Sequence, residues 1–237
     1  MSATEPDVES REVAVLGTAC ARDLGDPMRW LAPDGYPNSL ALSIVDSIYS
    51  TGARYSSVEN VVARYRSFRR DVGADPNADG ADELAATFAQ LGVDGWADSI
   101  GNRRPTSSAK GAPLKAEAIL LAVEALSGQG VRSAADLRAL SSDRERAQQV
   151  ESAWRAVPGQ SSGITWAYLL MLAHVPGVKA DRMVVRYVAR ALGAGERGVS
   201  ASKAADLVTG VAGERGWDVL KLDHAIWRFE SGRPFQT

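Results

Sequence analysis

The sequence predicts an all-α protein, and three observations lead to that prediction. Apolar residues recur at intervals of three and four through most of the 237 residues, as at Leu40, Ile44 and Ile48. No segment has the alternating apolar and polar pattern of a half-buried strand. Proline and glycine interrupt the helical runs at short intervals, which is typical of many helices joined by loops. The chain is long enough for a large core.

The first half of the chain predicts six helices. They span Glu9–Leu24, Ser39–Ser50, Val58–Arg70, Asp82–Leu91, Trp96–Ile100 and Pro113–Leu126. Ser57 has the type of side chain that caps a helix N-terminus, and Gly92 is suited to end a helix. Pro113 fits a first helical turn, because that position needs no amide proton. The stretch 102–113 reads as a flexible loop.

The second half predicts further helices with similar signals. They span Ser133–Leu140, Ser142–Trp154, two helices within 163–193, one from Ser200 or Ser202 to Glu214, and Asp223–Glu230. Ser133 and Asp223 are suitable N-caps for their helices. The segment 142–154 is strongly charged on its outer face and is expected at the surface.

Composition restricts the chemistry. Cys20 is the only cysteine, and His174 and His224 are the only histidines. These numbers argue against a disulfide framework, a four-cysteine metal or iron–sulfur site, and a histidine-built zinc site. We therefore expect neither metal nor cofactor. The acidic N-terminus lacks the pattern of a secretory signal, and no apolar stretch is long enough to cross a membrane, so we expect a cytoplasmic protein.

Charge is unevenly distributed along the chain. The net charge is −2, which argues against strong non-specific binding to nucleic acid. Residues 54–70 nevertheless contain five arginines against Glu59 alone, whereas residues 71–98 are acidic with no lysine or arginine. Local basic surfaces on a nearly neutral body are therefore possible, although each cluster can equally be a solvated helix face.

The most informative segment is 163–193. Val175-Pro176-Gly177-Val178 reads as a tight corner between two helices, and Gly177 can adopt the positive φ that such a corner needs. The second helix carries a basic stripe on one face: Lys179, Arg182, Arg186 and Arg190. Outward amides at a helix N-terminus beside cations suit a phosphate, so nucleic acid is the first partner to test. The alternative is an ordinary turn between helices.

Three segments, in order, resemble the helix-hairpin-helix DNA glycosylases, the superfamily that includes endonuclease III. They are Ile100-Gly101 with Lys115-Ala116-Glu117-Ala118-Ile119, Val175-Pro176-Gly177-Val178, and Leu222-Asp223-His224-Ala225-Ile226-Trp227-Arg228. The resemblance covers roughly residues 37–230. It implies two helical lobes with an interlobe cleft, one spanning 37–128 and the other combining 1–36 with 129–237, including the hairpin at 164–192.

The resemblance also implies a site. Asp223 is the expected catalytic carboxylate, which would support loss of a flipped-out base. The expected DNA contacts are Gly177, Val178, Lys179, Arg182, Lys115 and Tyr49. The same residues have plainer interpretations: Asp223 as a helix cap, Lys115 as a surface charge and Tyr49 as a core residue.

The chain also departs from that family. Asp181 occupies the position of the lysine nucleophile of bifunctional members, and Lys179 replaces the second glycine of the hairpin. An extra helix at 200–216 separates the corner from Asp223. We therefore expect a DNA-binding protein that is at most a monofunctional glycosylase. The alternatives are a DNA-binding relative without activity, and reuse of the fold for a small-molecule or protein partner, which the acidic stretch 71–98 would favour.

Overall fold

The computed structural model describes residues 8–32, 35–178, 180–195 and 198–236. Within these ranges the chain is all-α, as predicted, and β-structure is limited to isolated bridges. The helices are α1 Val8–Leu24, α2 Leu40–Tyr49, α3 Tyr55–Asp71, α4 Ala81–Ser99, α5 Lys115–Gly128, α6 Ala134–Ala139, α7 Arg144–Ala156, α8 Ile164–Leu172, α9 Arg182–Ala191, α10 Ala201–Arg215 and α11 Val219–Glu230.

The chain divides into two compact units. Residues 35–175 form a middle unit, and the described residues before and after them form a terminal unit. The expected lobe boundary at residue 128 was wrong. Helices α6, α7 and α8 belong to the middle unit because their apolar side chains, among them Trp154 and Leu169, join its core. The division falls between Val175 and Pro176, so α8 and α9 belong to different units.

Helix α2 lies at the centre of the middle unit, and all of its residues are buried. Ser39 caps it by accepting a hydrogen bond from the Leu42 amide at 3.2 Å. Helices α3, α4, α5 and α8 pack around it. The loop before α4 is fixed by Asp79, which accepts two hydrogen bonds from Arg69 and one from Tyr65. The middle unit is therefore built around a buried helix that is capped at its start.

The terminal unit has its own core, built from α1, α9, α10 and α11. Helices α1 and α10 approach closely at Gly210, where an added Cβ would lie 3.0 Å from a methyl group of Val13. Burying this separate apolar cluster gives the chain ends a fold of their own, although they are far apart in sequence.

Several helix ends differ from the sequence prediction. Helix α3 begins at Tyr55, so Ser57 lies inside its first turn and is not the cap. The helix end predicted at Gly92 is confirmed, because Gly92 has a non-helical φ of 67° and ψ of 171° and divides α4 into two helical pieces. Helix α5 begins at Lys115, which leaves Pro113 outside it. Local signals identified these helices correctly but misplaced their ends by a few residues.

Candidate functional site

The second helix of the predicted corner starts later than expected. Helix α8 ends at Leu172 and α9 begins at Arg182. Gly177 is exposed, its φ is not positive, and an added Cβ would meet no atom of the described residues within 4 Å. The expected need for a left-handed glycine was therefore wrong. No backbone carbonyl in the described ranges accepts a hydrogen bond from the amide of Gly177 or Val178.

The N-terminus of α9 is closed by the protein itself. Asp181 Oδ1 accepts hydrogen bonds from the amides of Met183 at 2.8 Å and Val184 at 3.3 Å. These are the donors that a phosphate at this helix end would need. The carboxylate also supplies the negative charge that the helix dipole favours. An anion at this helix end would therefore have to compete with Asp181.

The basic stripe of α9 is partly neutralised. Arg186 Nε lies 2.5 Å from Glu230 Oε1, and an Arg190 nitrogen lies 2.6 Å from Glu230 Oε2. The side chain of Glu230 is 5% exposed. Arg182 is exposed, and Lys179 lies outside the described residues. Two of the four cations of the stripe, Arg186 and Arg190, therefore pair with α11, which reduces the charge available to a partner.

Lys115 is neither a DNA contact nor a surface charge. Its side chain is 4% exposed, and its ammonium donates to the carbonyl oxygens of Tyr49 at 3.0 Å and Thr51 at 2.5 Å. These carbonyls lie at the C-terminal end of α2, where intrahelical donors run out. Burial, reinforced by nearby Arg104, lowers the pKa of Lys115 to about 8. Both sequence interpretations of this lysine were therefore wrong.

Tyr49 is a core residue, so the expected DNA contact was wrong and the plainer interpretation is confirmed. It is 2% exposed and stacks against Trp96 at 6.3 Å. Its hydroxyl donates to the carbonyl oxygen of Asn102 and accepts from the Asn102 amide. Burial raises the pKa of Tyr49 to about 12. The side chain fixes the start of the loop after α4.

Asp223 lies within α11, not at its start. Asp218 is the N-cap, accepting hydrogen bonds from the amides of Leu220 and Lys221. The expected capping role of Asp223 was therefore wrong. Asp223 is 6% exposed, and its neighbours Leu222 and Ile226 belong to the terminal core. Its catalytic role stays a prediction.

The middle unit also carries a cationic hairpin, a candidate site that the sequence analysis did not predict. Between α4 and α5, Pro105 and Leu114 form an antiparallel bridge, and the Lys115 amide donates to the Arg104 carbonyl at 2.9 Å. The stretch 104–114, here called the basic hairpin, is therefore pinned at its base, contrary to the flexible loop expected. Its exposed residues include Arg104, Ser107 and Lys110. The signal was a run from 102 to 115 without an acidic residue.

The two adjacent arginines at the base of this hairpin differ electrostatically. Arg103 is held by Asp98 at 2.7 Å and Asp94 at 2.9 Å. Arg104 makes no ion pair with a described carboxylate. Arg103 is thus locally neutralised, whereas Arg104 presents its charge to solvent and to Lys115. This pair offers a matched comparison of a neutralised and an available cation.

A second candidate site that the sequence analysis did not predict surrounds Asp46 in the middle unit. Asp46 is 1% exposed and accepts hydrogen bonds from the hydroxyls of Tyr36 at 2.7 Å and Ser50 at 3.3 Å, and from Tyr168. Arg66 of α3 lies over the Tyr36 ring, 5.4 Å from its centroid. We call these residues, with Tyr55 and Glu59, the Asp46 cluster. The signal was Asp46 itself, the single charged residue of the apolar helix α2.

The surroundings of the Asp46 cluster shift the pKa values of its side chains. Burial raises the pKa of Asp46, the hydroxyl donors oppose that rise, and the charge of Glu59 adds to it. Burial and the Asp46 carboxylate raise the pKa of Tyr36 as well. Perturbed carboxyls with specific partners occur often at functional sites, although structural networks also produce them.

The described residues do not contain a group of three or more histidine, cysteine, aspartate or glutamate side chains placed to hold a metal ion. Among the same residues, no helix has the length and apolar content needed to cross a membrane.

Comparison with known proteins identifies the family of the chain. No curated protein and no solved structure matches it. A family model does match residues 14–231, which run from within α1 to the end of α11 and so include parts of both units. The chain therefore belongs to the family described as Domain of unknown function (DUF8548).

Proposed function

We propose that this protein binds duplex DNA through phosphate contacts, as a relative of the helix-hairpin-helix glycosylases. The observation that carries the proposal is the segment Pro176–Val178, in which Pro176 and Gly177 are exposed and Val178 is half-buried. Its two amides at Gly177 and Val178 have no backbone acceptor within the described ranges, and exposed Arg182 follows. Backbone amides beside a cation suit a phosphate oxygen.

The basic hairpin supports the same proposal from the middle unit. Arg104 and Lys110 are exposed without an ion-pair partner among the described carboxylates, and Ser107 adds a hydroxyl that can donate. Arginine, lysine and serine are the usual donors to phosphate. A chain with a net charge of −2 needs such local surfaces to approach DNA at all.

DNA binding is tested by fluorescence anisotropy on a labelled duplex over a series of salt concentrations. We expect affinity to fall as salt rises, because phosphate contacts release counterions. Arg104→Ala and Arg182→Ala should each reduce the salt slope by about one unit. Arg103→Ala should leave it unchanged, since Asp94 and Asp98 already neutralise that arginine. Absence of binding at low salt would contradict the proposal.

The contribution of the corner amides is tested separately. Val178→Pro removes an amide proton, whereas Val178→Ala keeps it. We expect Val178→Pro to weaken DNA binding severalfold more than Val178→Ala, with the thermal melts of both variants checked by circular dichroism. Equal affinities of two folded variants would exclude the Val178 amide as a phosphate donor.

Base release by a monofunctional mechanism is the catalytic extension of this proposal. It depends on Asp223, because a carboxylate is needed to activate water or stabilise the developing sugar cation. Duplexes carrying a panel of damaged bases would be incubated with the parent protein and with Asp223→Asn. If the parent protein releases a damaged base and Asp223→Asn does not, the catalytic extension is supported. Equal base release by the two proteins would remove Asp223 from the mechanism.

A further inference from the structure

The Asp46 cluster has hydrogen-bonding capacity that the fold itself does not use, and DNA binding does not account for it. Tyr36 donates its only hydroxyl proton to Asp46 Oδ2 at 2.7 Å. A tyrosine hydroxyl has one proton and accepts through its lone pairs. Any ligand that meets the Tyr36 oxygen must therefore supply a donor, such as an ammonium group.

The charges around Tyr36 favour the same kind of group. Asp46 and Glu59 are the carboxyl groups of the cluster, and the charge of Glu59 acts on Asp46. Tyr55, half exposed, acts electrostatically on both Tyr36 and Tyr168. Carboxylates beside tyrosine rings attract organic cations through charge and through the ring faces.

Arg66, in contrast, requires a hydrogen-bond acceptor, preferably one with negative charge. Its Nε–H is buried and has no hydrogen-bond acceptor among the described residues. A buried donor without an acceptor is costly, and a carboxylate is the acceptor that best fits a guanidinium. The Arg66 guanidinium lies 5.4 Å from the centroid of the Tyr36 ring, so the two requirements fall within the reach of one small molecule.

We propose that the Asp46 cluster binds a small zwitterion of the amino-acid type. The ammonium group meets the Tyr36 hydroxyl on the side of Asp46 and Glu59, and the carboxylate accepts from Arg66. Such a ligand satisfies the unused donor of Arg66 and places its ammonium group beside the carboxylates of Asp46 and Glu59. A simple cation would be repelled by Arg66, and a simple anion by Asp46 and Glu59.

Isothermal titration calorimetry on the full chain tests the ligand class. The probes are glycine, β-alanine and γ-aminobutyrate, which separate the two charges by increasing lengths, with methylammonium and acetate as single-charge controls. We expect at least one zwitterion to bind tenfold or more tightly than either control. Equal binding of a control, or binding of none of the zwitterions, would overturn the proposal.

Matched variants test the assigned contacts. Tyr36→Phe removes one hydroxyl and should weaken the best zwitterion at least tenfold, whereas Tyr65→Phe, which removes a hydroxyl bonded to Asp79, should not. Arg66→Met should cause a similar loss, and Arg70→Met, at an exposed position one turn later, should not. Equal affinities within either pair would overturn the assignment.

A measurement on the unmodified protein tests the proposal even if the variants fail to fold. Carbon-13 NMR of the side-chain carboxyls follows the titration of Asp46 with and without the best zwitterion. Because a bound ammonium group stabilises the ionised form, we expect the pKa of Asp46 to fall when ligand is added. An unchanged or raised pKa would overturn the placement of the ammonium group.

Discussion

The ammonium nitrogen of Lys115 lies 3.0 Å from the carbonyl oxygen of Tyr49, so the first residue of α5 closes the last turn of α2. A long cationic side chain is here used as a helix C-cap, reaching the carbonyls that α2 cannot satisfy internally. Arg64 does the same for the end of α4 by donating to the carbonyl oxygens of Ile100 and Gly101. The C-terminal ends of α2 and α4 are therefore both capped by cationic side chains from other helices.

Replacing Lys115 by methionine should destabilise the protein by about 1–3 kcal/mol, because buried carbonyl groups lose their donor. Urea unfolding followed by circular dichroism measures the change. Lys110→Met, at an exposed position in the basic hairpin, is the control and should stay within about 0.5 kcal/mol of the parent. Equal effects of the two substitutions would contradict the capping role of Lys115.

The pH dependence of the same comparison follows from the lowered pKa of Lys115. The folded protein releases this proton near pH 8, whereas the unfolded chain holds it to about 10.5. Between these values the unfolded state binds more protons, so the contribution of Lys115 to stability rises with pH, by at most about 1.4 kcal/mol per unit. The stability of the parent relative to Lys115→Met should therefore increase from pH 8 to 10. A constant difference would contradict the shift.

Gly101→Ala should destabilise the middle unit, because its Cβ would lie 2.3 Å from the Tyr49 hydroxyl and 2.7 Å from the Trp96 ring. Both side chains are buried, so neither can move aside cheaply, and about 1–3 kcal/mol is expected from overpacking. Gly95→Ala in α4 is the matched control. Its Cβ makes only an ordinary contact, and alanine favours helix by up to about 1 kcal/mol. A neutral Gly101→Ala would show that this contact is loose.

Glu230→Gln should cost about 1–2 kcal/mol in thermal or urea unfolding. Glu230 is 5% exposed and pairs with both Arg186 and Arg190, but the two arginines are partly solvated, which reduces the loss. Asp82→Asn breaks the exposed pair with Arg132 and should cost less than about 1 kcal/mol. Similar costs for the two variants would mean that burial of Glu230 adds nothing.

The sequence predicted secondary structure better than the site, and particular residues show why. Ser39 and the periodic apolar residues of α2 act locally, so their pattern is readable without knowledge of the fold. Lys115, Tyr49 and Asp46 depend on which helices pack against them. A lysine at a helix start has the same sequence pattern whether it faces solvent or caps another helix. The partner carbonyls of Lys115 lie more than sixty positions away, beyond any local signal.

The same limit applies to the basic stripe of α9. Spacing correctly puts Arg186 and Arg190 on one helical face, but the neutralising Glu230 comes from α11, which only the tertiary fold brings near. Arg103 and Arg104 show that adjacent residues can also have different surroundings. Adjacent in sequence, they differ in available charge because Asp94 and Asp98 reach only one of them.

Cys20 should be unreactive in the native protein. It is fully buried in the terminal unit, and burial raises the pKa of its thiol to about 12, so almost no thiolate exists at neutral pH. As the single cysteine of the chain, it reports on the terminal unit alone. With Ellman's reagent at pH 8, the native protein should react only as fast as that unit opens, whereas protein in urea should react at once. In intermediate urea, a labelling rate that rises before the circular dichroism changes would show that the terminal unit opens independently of the middle unit. Immediate labelling of the native protein would contradict the buried position of Cys20.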